Sequence, residues 1–176
     1  DPKRRRSVLF GGQVASGPFL GGALSDTWEW DGATWTRGPS TTDTSGNDHD
    51  FRAPALAYDA KRGVMVMFGR AEAGAGELWE YNGSAWTRVG MTGAPPDRAG
   101  ASLVYDAVTQ KIVLLGGEEP TTAAPRTDLW TWNGAWAQLA TSLPTNVVRH
   151  ASVGDPIRRR IIVLGDDSNV GTWEWD

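Results

Sequence analysis

Cysteine is absent from the 176 residues, which excludes a disulfide framework, a thiolate nucleophile and thiolate metal ligands. Histidine is nearly so. His49 and His150 are the only two, too few for a metal site built on His/Cys ligand spacing. Gly-x-Ser-x-Gly, phosphate-loop and His-Glu-x-x-His motifs are missing as well, and with them the common signatures of hydrolases, nucleotide binders and zinc proteases. No apolar run approaches the ~20 residues a membrane-crossing helix needs. Excess positive charge is also lacking: the formal net charge is −4, whereas a nucleic-acid partner calls for a basic face. Adjacent carboxylates such as Glu118 and Glu119 are common in loops and do not by themselves indicate glycoside hydrolysis. The chain is therefore expected to hold no catalytic residue, no metal and no cofactor, and to engage neither nucleic acid nor a bilayer core.

What is abundant is glycine, with 22 residues, and tryptophan, with ten. Many glycines between short apolar runs point to many turns and short strands, an all-β fold. The tryptophans fall into a repeat. Trp28, Trp79, Trp130 and Trp173 each sit in one phrase: Asp-Thr-Trp-Glu-Trp-Asp-Gly, Glu-Leu-Trp-Glu-Tyr-Asn-Gly, Asp-Leu-Trp-Thr-Trp-Asn-Gly and Gly-Thr-Trp-Glu-Trp-Asp. Upstream of each lies an apolar run ending in glycine: Val8 to Gly12, Val66 to Gly69, Val113 to Gly117 and Ile162 to Gly165. Before that comes an aspartate with a basic residue shortly after it: Asp1…Lys3, Asp59…Lys61, Asp106…Lys111 and Asp155…Arg158.

Each repeat divides into four short strands, a to d. Strand a alternates, as in Ala55-Leu56-Ala57-Tyr58. Strand b is an almost continuous apolar run, the pattern of a strand covered on both faces. Strand c carries Trp-x-Trp or Trp-x-Tyr, and a spacing of two places both rings on one face. Strand d opens on Trp35, Trp86 or Trp136. Asp31-Gly32, Asn82-Gly83 and Asn133-Gly134 separate c from d and read as two-residue hairpin turns. Such a turn sets Trp28 opposite Trp35 and Trp79 opposite Trp86. The third repeat is one residue shorter, so a bulge or wider turn near Gly134-Ala135 is expected to keep Trp136 on the same face. Every tryptophan belongs to these phrases, which favours packing between sheets over sugar stacking.

The pattern resembles the kelch repeat of the galactose-oxidase-like β-propeller group, in particular bacterial variants ending in Trp-x-Trp-Asp-Gly-x-x-Trp. The marks are Gly11-Gly12 and Gly116-Gly117 after strand b, the strand-c and strand-d tryptophans (Trp28, Trp79, Trp130, Trp173; Trp35, Trp86, Trp136), and Arg52, Arg98 and Arg149 opening strand a. Gly69 and Gly165 lack the second glycine. The resemblance implies four-stranded antiparallel blades arrayed around a channel, and a bacterial, extracytoplasmic or secreted setting. It does not imply one function. The blades are expected at about 1–38 (strands b–d), 52–90, 98–140 and 149–176 (strands a–c), 14 strands in all. With the first blade short of strand a and the last short of d, and an opening Asp1-Pro2-Lys3 without Met, the sequence reads as a stretch of a longer propeller. The remaining blades would come from the rest of the chain or from another copy.

The a–b and c–d turns are short and stereotyped, while the b–c and d–a connections are long and differ in every repeat. Antiparallel strands bring all the long connections to one face, the usual place for binding groups on a rigid scaffold. Candidates there are Asp48, His49, Asp50, Arg70, Glu72, Glu118, Glu119, Arg126, Asp166 and Asp167. Arg52, Arg98 and Arg149 are expected to bond neighbouring strand carbonyls, the alternative being an anion site at the channel mouth. His150 beside them reads as structural. The basic runs Lys3 to Arg6 and Arg158 to Arg160 fit solubilising residues flanking an apolar strand, or a surface for an acidic partner. The expected function is a binding scaffold for a protein or glycan. The alternative is the propeller part of a secreted oxidase or carbohydrate-active enzyme whose catalytic residues lie elsewhere.

Overall fold

Strand b sets the architecture. In the computed structural model Val66, Met67 and Phe68, and likewise Ile112 to Leu115, are at most 1% exposed, so each run is buried on both faces. The structure describes residues 1–16, 19–42, 51–71, 76–143, 147, 148, 150–165 and 171–176, and at 13–16, 19–21, 52, 53 and 71 the backbone alone. Blade 1 holds β1 (Ser7–Phe10), a small hairpin of β2 (Gln13–Ser16) and β3 (Phe19–Ala23), then β4 (Thr27–Trp30) and β5 (Trp35–Arg37). Blade 2 is β6 (Phe51–Asp59), β7 (Val64–Ala71), β8 (Gly76–Tyr81) and β9 (Trp86–Val89). Blade 3 is β10 (Ser102–Asp106), β11 (Lys111–Leu115), β12 (Asp128–Trp132) and β13 (Trp136–Ser142). Blade 4 is β14 (Ala151–Asp155), β15 (Arg160–Leu164) and β16 (Thr172–Trp175).

Among the described residues the fold is all-β, with four antiparallel sheets of three, four, four and three strands in sequential order, plus the β2–β3 hairpin. The fourteen blade strands are those expected. The β2–β3 hairpin is an addition to them, built into the long b–c connection of blade 1. Strands β6, β10 and β14 lie side by side, as the inner strands of a propeller-like array do.

Alternate residues of strand b face opposite neighbours. Met65 and Met67 join Phe10, Trp79 and Trp86 in the layer between blades 1 and 2. Val66 and Phe68 join Ile112, Leu114 and Trp132 between blades 2 and 3. Val113 and Leu115 meet Ile161 and Val163 between blades 3 and 4.

The strand-b glycines explain their own irregularity. Gly116 and Gly117 have φ of +67° and +91°, and a Cβ on Gly116 would stand 2.4 Å from the Val147 carbonyl oxygen. Only glycine fits both demands, and the chain turns there out of β11. Gly69 is not left-handed, so β7 runs on through Arg70 without a second glycine.

The c–d turns depart from expectation. Trp30 lies opposite Trp35 and Trp28 opposite Arg37; Tyr81 lies opposite Trp86 and Trp79 opposite Arg88. The turns therefore span residues 31–34 and 82–85. The cause is the first turn residue: Asp31 Oδ1 accepts the amides of Ala33 and Thr34, both at 2.8 Å, and Asn82 Oδ1 accepts those of Ser84 and Ala85. This side-chain mimic of a backbone turn holds four residues where Asp-Gly was read as two. Those amides keep the Asp31 carboxyl below its ordinary value. In blade 3 the turn is 133–135, the expected widening beyond two residues at Gly134-Ala135, which sets Trp132 opposite Trp136; a separate register shift falls between Asp128 and Trp130.

Candidate functional site

At the end of the blades that carries the long connections, the anchor is Arg98. Its side chain is fully buried and forks onto Asp128 with contacts of 3.0 and 2.7 Å. It also donates to the carbonyls of Pro96 and Gly116. Burial would push the Asp128 carboxyl up, but donation from Arg98 and from the Trp130 indole holds it below its usual value. Asp128 is one of three equivalent acids: Trp28 donates to Asp26 at 2.7 Å, and Trp79 to Glu77 at 2.8 Å. Arg98 thus takes the expected structural place, extended by a carboxylate partner. The side chain of Arg52 and all of Arg149 lie outside the described residues.

The described connections at this end are tied to one another. Arg70, read as a loop residue, ends up in β7 and donates to Asp97 at 3.0 Å. Glu118 pairs by backbone with Ala99 and with Pro125. Gly117 donates its amide to the Val147 carbonyl, and Arg126 donates its own to Gly117. Glu119 closes a tight loop, accepting from the hydroxyls and amides of Thr121 and Thr122. Those bonds hold its carboxyl down to about 2. Arg126 keeps a buried Nε without a partner among the described residues. Asp48, His49, Asp50, Glu72, Asp166 and Asp167 lie outside the described residues, so what the structure brings together of the candidate set is Arg70, Glu118, Glu119 and Arg126. His150 lies between blades, with Nε2 2.8 Å from Ser102 Oγ, which is itself 2.5 Å from Ser152 Oγ.

The opposite end carries an arrangement that the sequence reading missed. The aspartate closing strand a accepts the amide of the residue three on, and that residue's guanidinium folds back onto it: Arg4 on Asp1 and Arg62 on Asp59, both at 2.7 Å. The same guanidinium reaches the glutamate between the strand-c aromatics, Glu29 from Arg4 and Glu80 from Arg62, both at 2.6 Å. That glutamate in turn accepts from the second aromatic of the next blade: Tyr81 on Glu29 and Trp132 on Glu80, both at 2.9 Å. The guanidinium lies over that same ring, 5.3 Å from the Tyr81 centroid and 5.9 Å from that of Trp132, within cation–π range. Burial, and then bonding to the Glu29 carboxylate, raises the Tyr81 phenol to about 12. Arg158 and Glu174 repeat the pair in blade 4. Arg4 and Arg62 are working parts of the blade junctions, which a reading as solubilising flanks does not include.

Blade 3 breaks the series. Thr109 stands where the arginine would be and Thr131 where the glutamate would be; Thr109 caps Asp106 and Thr131 bonds to the Ala137 carbonyl. The space left against blade 4 is a cavity of about 160 Å³ walled by Thr109, Thr131, Leu139, Ile161 and Trp175, with Lys111 and Arg159 at its edge. A second cavity of about 200 Å³ adjoins it across Asp106 and Arg159. The signal was present in the sequence as paired variation: Asp-x-x-Arg occurs in the repeats with Trp-Glu-Trp or Trp-Glu-Tyr, and Asp-x-x-Thr with Trp-Thr-Trp.

Among the described residues no group of three His, Asp or Glu is placed to hold a metal ion, and no helix is long and apolar enough to cross a membrane. No protein-family model matches the chain, and no curated protein shows significant similarity to it.

Proposed function

We propose that the chain is a non-catalytic binding scaffold of kelch type that recognises a protein or glycan through its b–c and d–a connections, in a bacterial extracytoplasmic setting. One observation carries the reading: strand order brings the long connections to the same end of the blades, and there the described ones are fastened by Arg70–Asp97 and Gly117–Val147 between neighbouring blades and by Ala99–Glu118 within blade 3. A surface fastened in this way offers varied side chains with little ordering left to do on binding, which is what makes preorganised sites strong. Among the described residues the recurring Arg4, Arg62 and Arg98 are engaged in internal pairs with Glu29, Glu80 and Asp128, which leaves recognition to the connections.

The test is a glycan array and a tiled peptide array probed with the chain, followed by two variants. Replacing 118–126 by a short Gly/Ser linker is expected to abolish the selected binding. Replacing Asn82-Gly83-Ser84 at the other end is expected to leave it intact. The reverse pattern overturns the proposal and moves attention to the cavities beside Trp175.

A further inference from the structure

The cavity between blades 3 and 4 lies where the other two junctions hold an arginine and a glutamate. At those junctions the second aromatic of strand c has two separate ring neighbours. Tyr81 has Arg4 over it and stacks on Trp86; Trp132 has Arg62 over it and packs on Trp136. Each also donates to a glutamate, Tyr81 to Glu29 and Trp132 to Glu80. Trp175 is their counterpart in blade 4, pairing with Ile161 as Tyr81 pairs with Met65. With Thr109 and Thr131 at the arginine and glutamate places, the relay's share of the space becomes the cavity of about 160 Å³. A strand d paired to β16 would bring its aromatic to the other neighbour's place, where Trp86 and Trp136 pack on Phe10 and Phe68. The residue corresponding to Phe68 is Leu115, which lies outside the cavity wall. The cavity therefore belongs to positions 109 and 131 and not to the edge of the sheet.

Around it stand donors without acceptors on an apolar floor of Leu139, Ile161 and the Trp175 ring. Lys111 lies two residues before Val113 and turns to blade 4 as Val113 does. In blade 2 the same place is Val64, packed into the junction. Arg159, at the left-handed position of its turn, borders the cavity from blade 4. Among the described residues the Lys111 ammonium, the Arg159 guanidinium and the Trp175 indole N–H have neither a hydrogen-bond nor an ion-pair partner. Both carboxylates on the wall are engaged. Asp106 accepts the amides of Val108 and Thr109 and the Thr109 hydroxyl, and Asp176 faces Arg160 at 3.6 Å. Free donors beside engaged acceptors favour an anion and oppose a cation. An apolar cavity of about 150 Å³ takes benzene, so the space suits a single six-membered ring.

We infer that this cavity binds a small carboxylate with a compact apolar body, of the arylacetate class. Its ring lies on Leu139, Ile161 and Trp175, and its carboxylate sits at the rim among Lys111, Arg159 and the indole N–H. The ligand supplies the acid that Glu29 and Glu80 supply at the other junctions. This goes beyond the binding role proposed above and does not rest on it, because it uses the opposite end of the blades.

A ligand-observed NMR titration with phenylacetate tests it, with 2-phenylethanol and 2-phenylethylamine as the neutral and cationic analogues. The native chain is expected to bind phenylacetate with a Kd of about 1 mM or tighter, and each analogue about tenfold more weakly or not at all. Lys111→Met keeps the aliphatic stem and is expected to weaken phenylacetate about tenfold. Thr109→Arg with Thr131→Glu builds the relay into the cavity and is expected to abolish binding. No saturable binding of phenylacetate, equal affinity for the alcohol or the amine, unchanged affinity in Lys111→Met, or binding retained in the double variant overturns the inference. Should the double variant lose the native circular dichroism, Trp175→Phe replaces it: loss of the N–H is expected to weaken phenylacetate about fivefold, and an unchanged Kd overturns the inference.

Discussion

The junction between blades 2 and 3 and the junction between blades 3 and 4 are made of the same strands, yet only the first contains a charged relay. Between blades 2 and 3, Arg62 sits over Trp132 and bonds Asp59 and Glu80. Between blades 3 and 4, Thr109 and Thr131 replace both members and leave the cavity beside Trp175. The apolar layer persists across both, with Ile112 and Leu114 on one side of β11 and Val113 and Leu115 on the other, all at most 1% exposed. The stack therefore rests on the apolar layer, and the relay is an addition that comes or goes as a unit. Neither member is comfortable alone, because a half-buried carboxylate without its guanidinium carries a desolvation cost that nothing offsets.

The largest test of that contrast is truncation of the aromatic at each junction. Trp132→Ala is expected to cost about 3–5 kcal/mol, as for a buried core tryptophan, and Trp175→Ala clearly less, since Trp175 is only partly covered. Urea denaturation of the two variants checks the order, and equal losses would mean that the relay adds nothing to the packing around the ring.

Acid separates the junctions next. The Glu29 carboxyl would be pushed up by burial, but bonds from Arg4 and Tyr81 hold it below its ordinary 4.5. The folded state thus binds that proton less readily than the unfolded state. Its contribution is complete above about pH 4.5 and is lost as pH falls through the folded value. Glu29→Gln is expected to lower stability at neutral pH by about 1 kcal/mol and to flatten the decline below pH 4.5. An unchanged acid profile would remove Glu29 from the account.

A smaller effect comes from building the missing relay. Thr131→Glu alone should destabilise, whereas Thr131→Glu with Thr109→Arg should recover the loss and add roughly 0.5–1 kcal/mol. Strict additivity in the double-mutant cycle would show that the two positions do not communicate.

The smallest concerns the a–b turns. Arg5, Gln110 and Arg159 have φ of +54°, +56° and +59° at the position where blade 2 has Gly63 at +73°. Left-handed backbone is costly for residues with a Cβ, so Arg159→Gly is expected to raise stability by about 0.5–1 kcal/mol. A loss would mean that the Arg159 side chain matters more to the edge of the cavity than its backbone angle does.

Much of the framework was legible in the residues. Strand b announced its double burial through an unbroken apolar run, and the Trp-x-Trp spacing placed both rings on one face. Burial of the tryptophans was legible only for the inner blades: Trp79, Trp86, Trp132 and Trp136 are at most 9% exposed, but Trp35 is 50% exposed, because nothing within the described chain covers that face of blade 1. The turn length was misread because Asp-Gly and Asn-Gly serve two purposes. They start a tight hairpin, and they also start a wider turn in which the Asp or Asn side chain stands in for a peptide group, and the dipeptide alone does not choose between them. The relay escaped notice because its members are 18 residues apart in Arg62 and Glu80 and 52 apart in Glu80 and Trp132; only comparison between repeats ties them together. The candidate residues of the long connections were the least legible, since irregular backbone places them by contacts such as Arg70–Asp97 that no periodicity announces.

The relay runs in one direction, from the arginine and glutamate of one blade to the aromatic of the next. The module that can be transplanted whole is therefore not the sheet. It starts at one a–b turn, takes in strand c, and ends in the c–d hairpin of the following blade. Because successive modules overlap in sequence, recombination that cuts between blades 1 and 2 severs one, whereas a cut through the middle of blade 2 severs two, parting Glu29 from Tyr81 and Arg62 from Glu80. Amide exchange should trace the same offset frame, with groups that open together straddling two sheets.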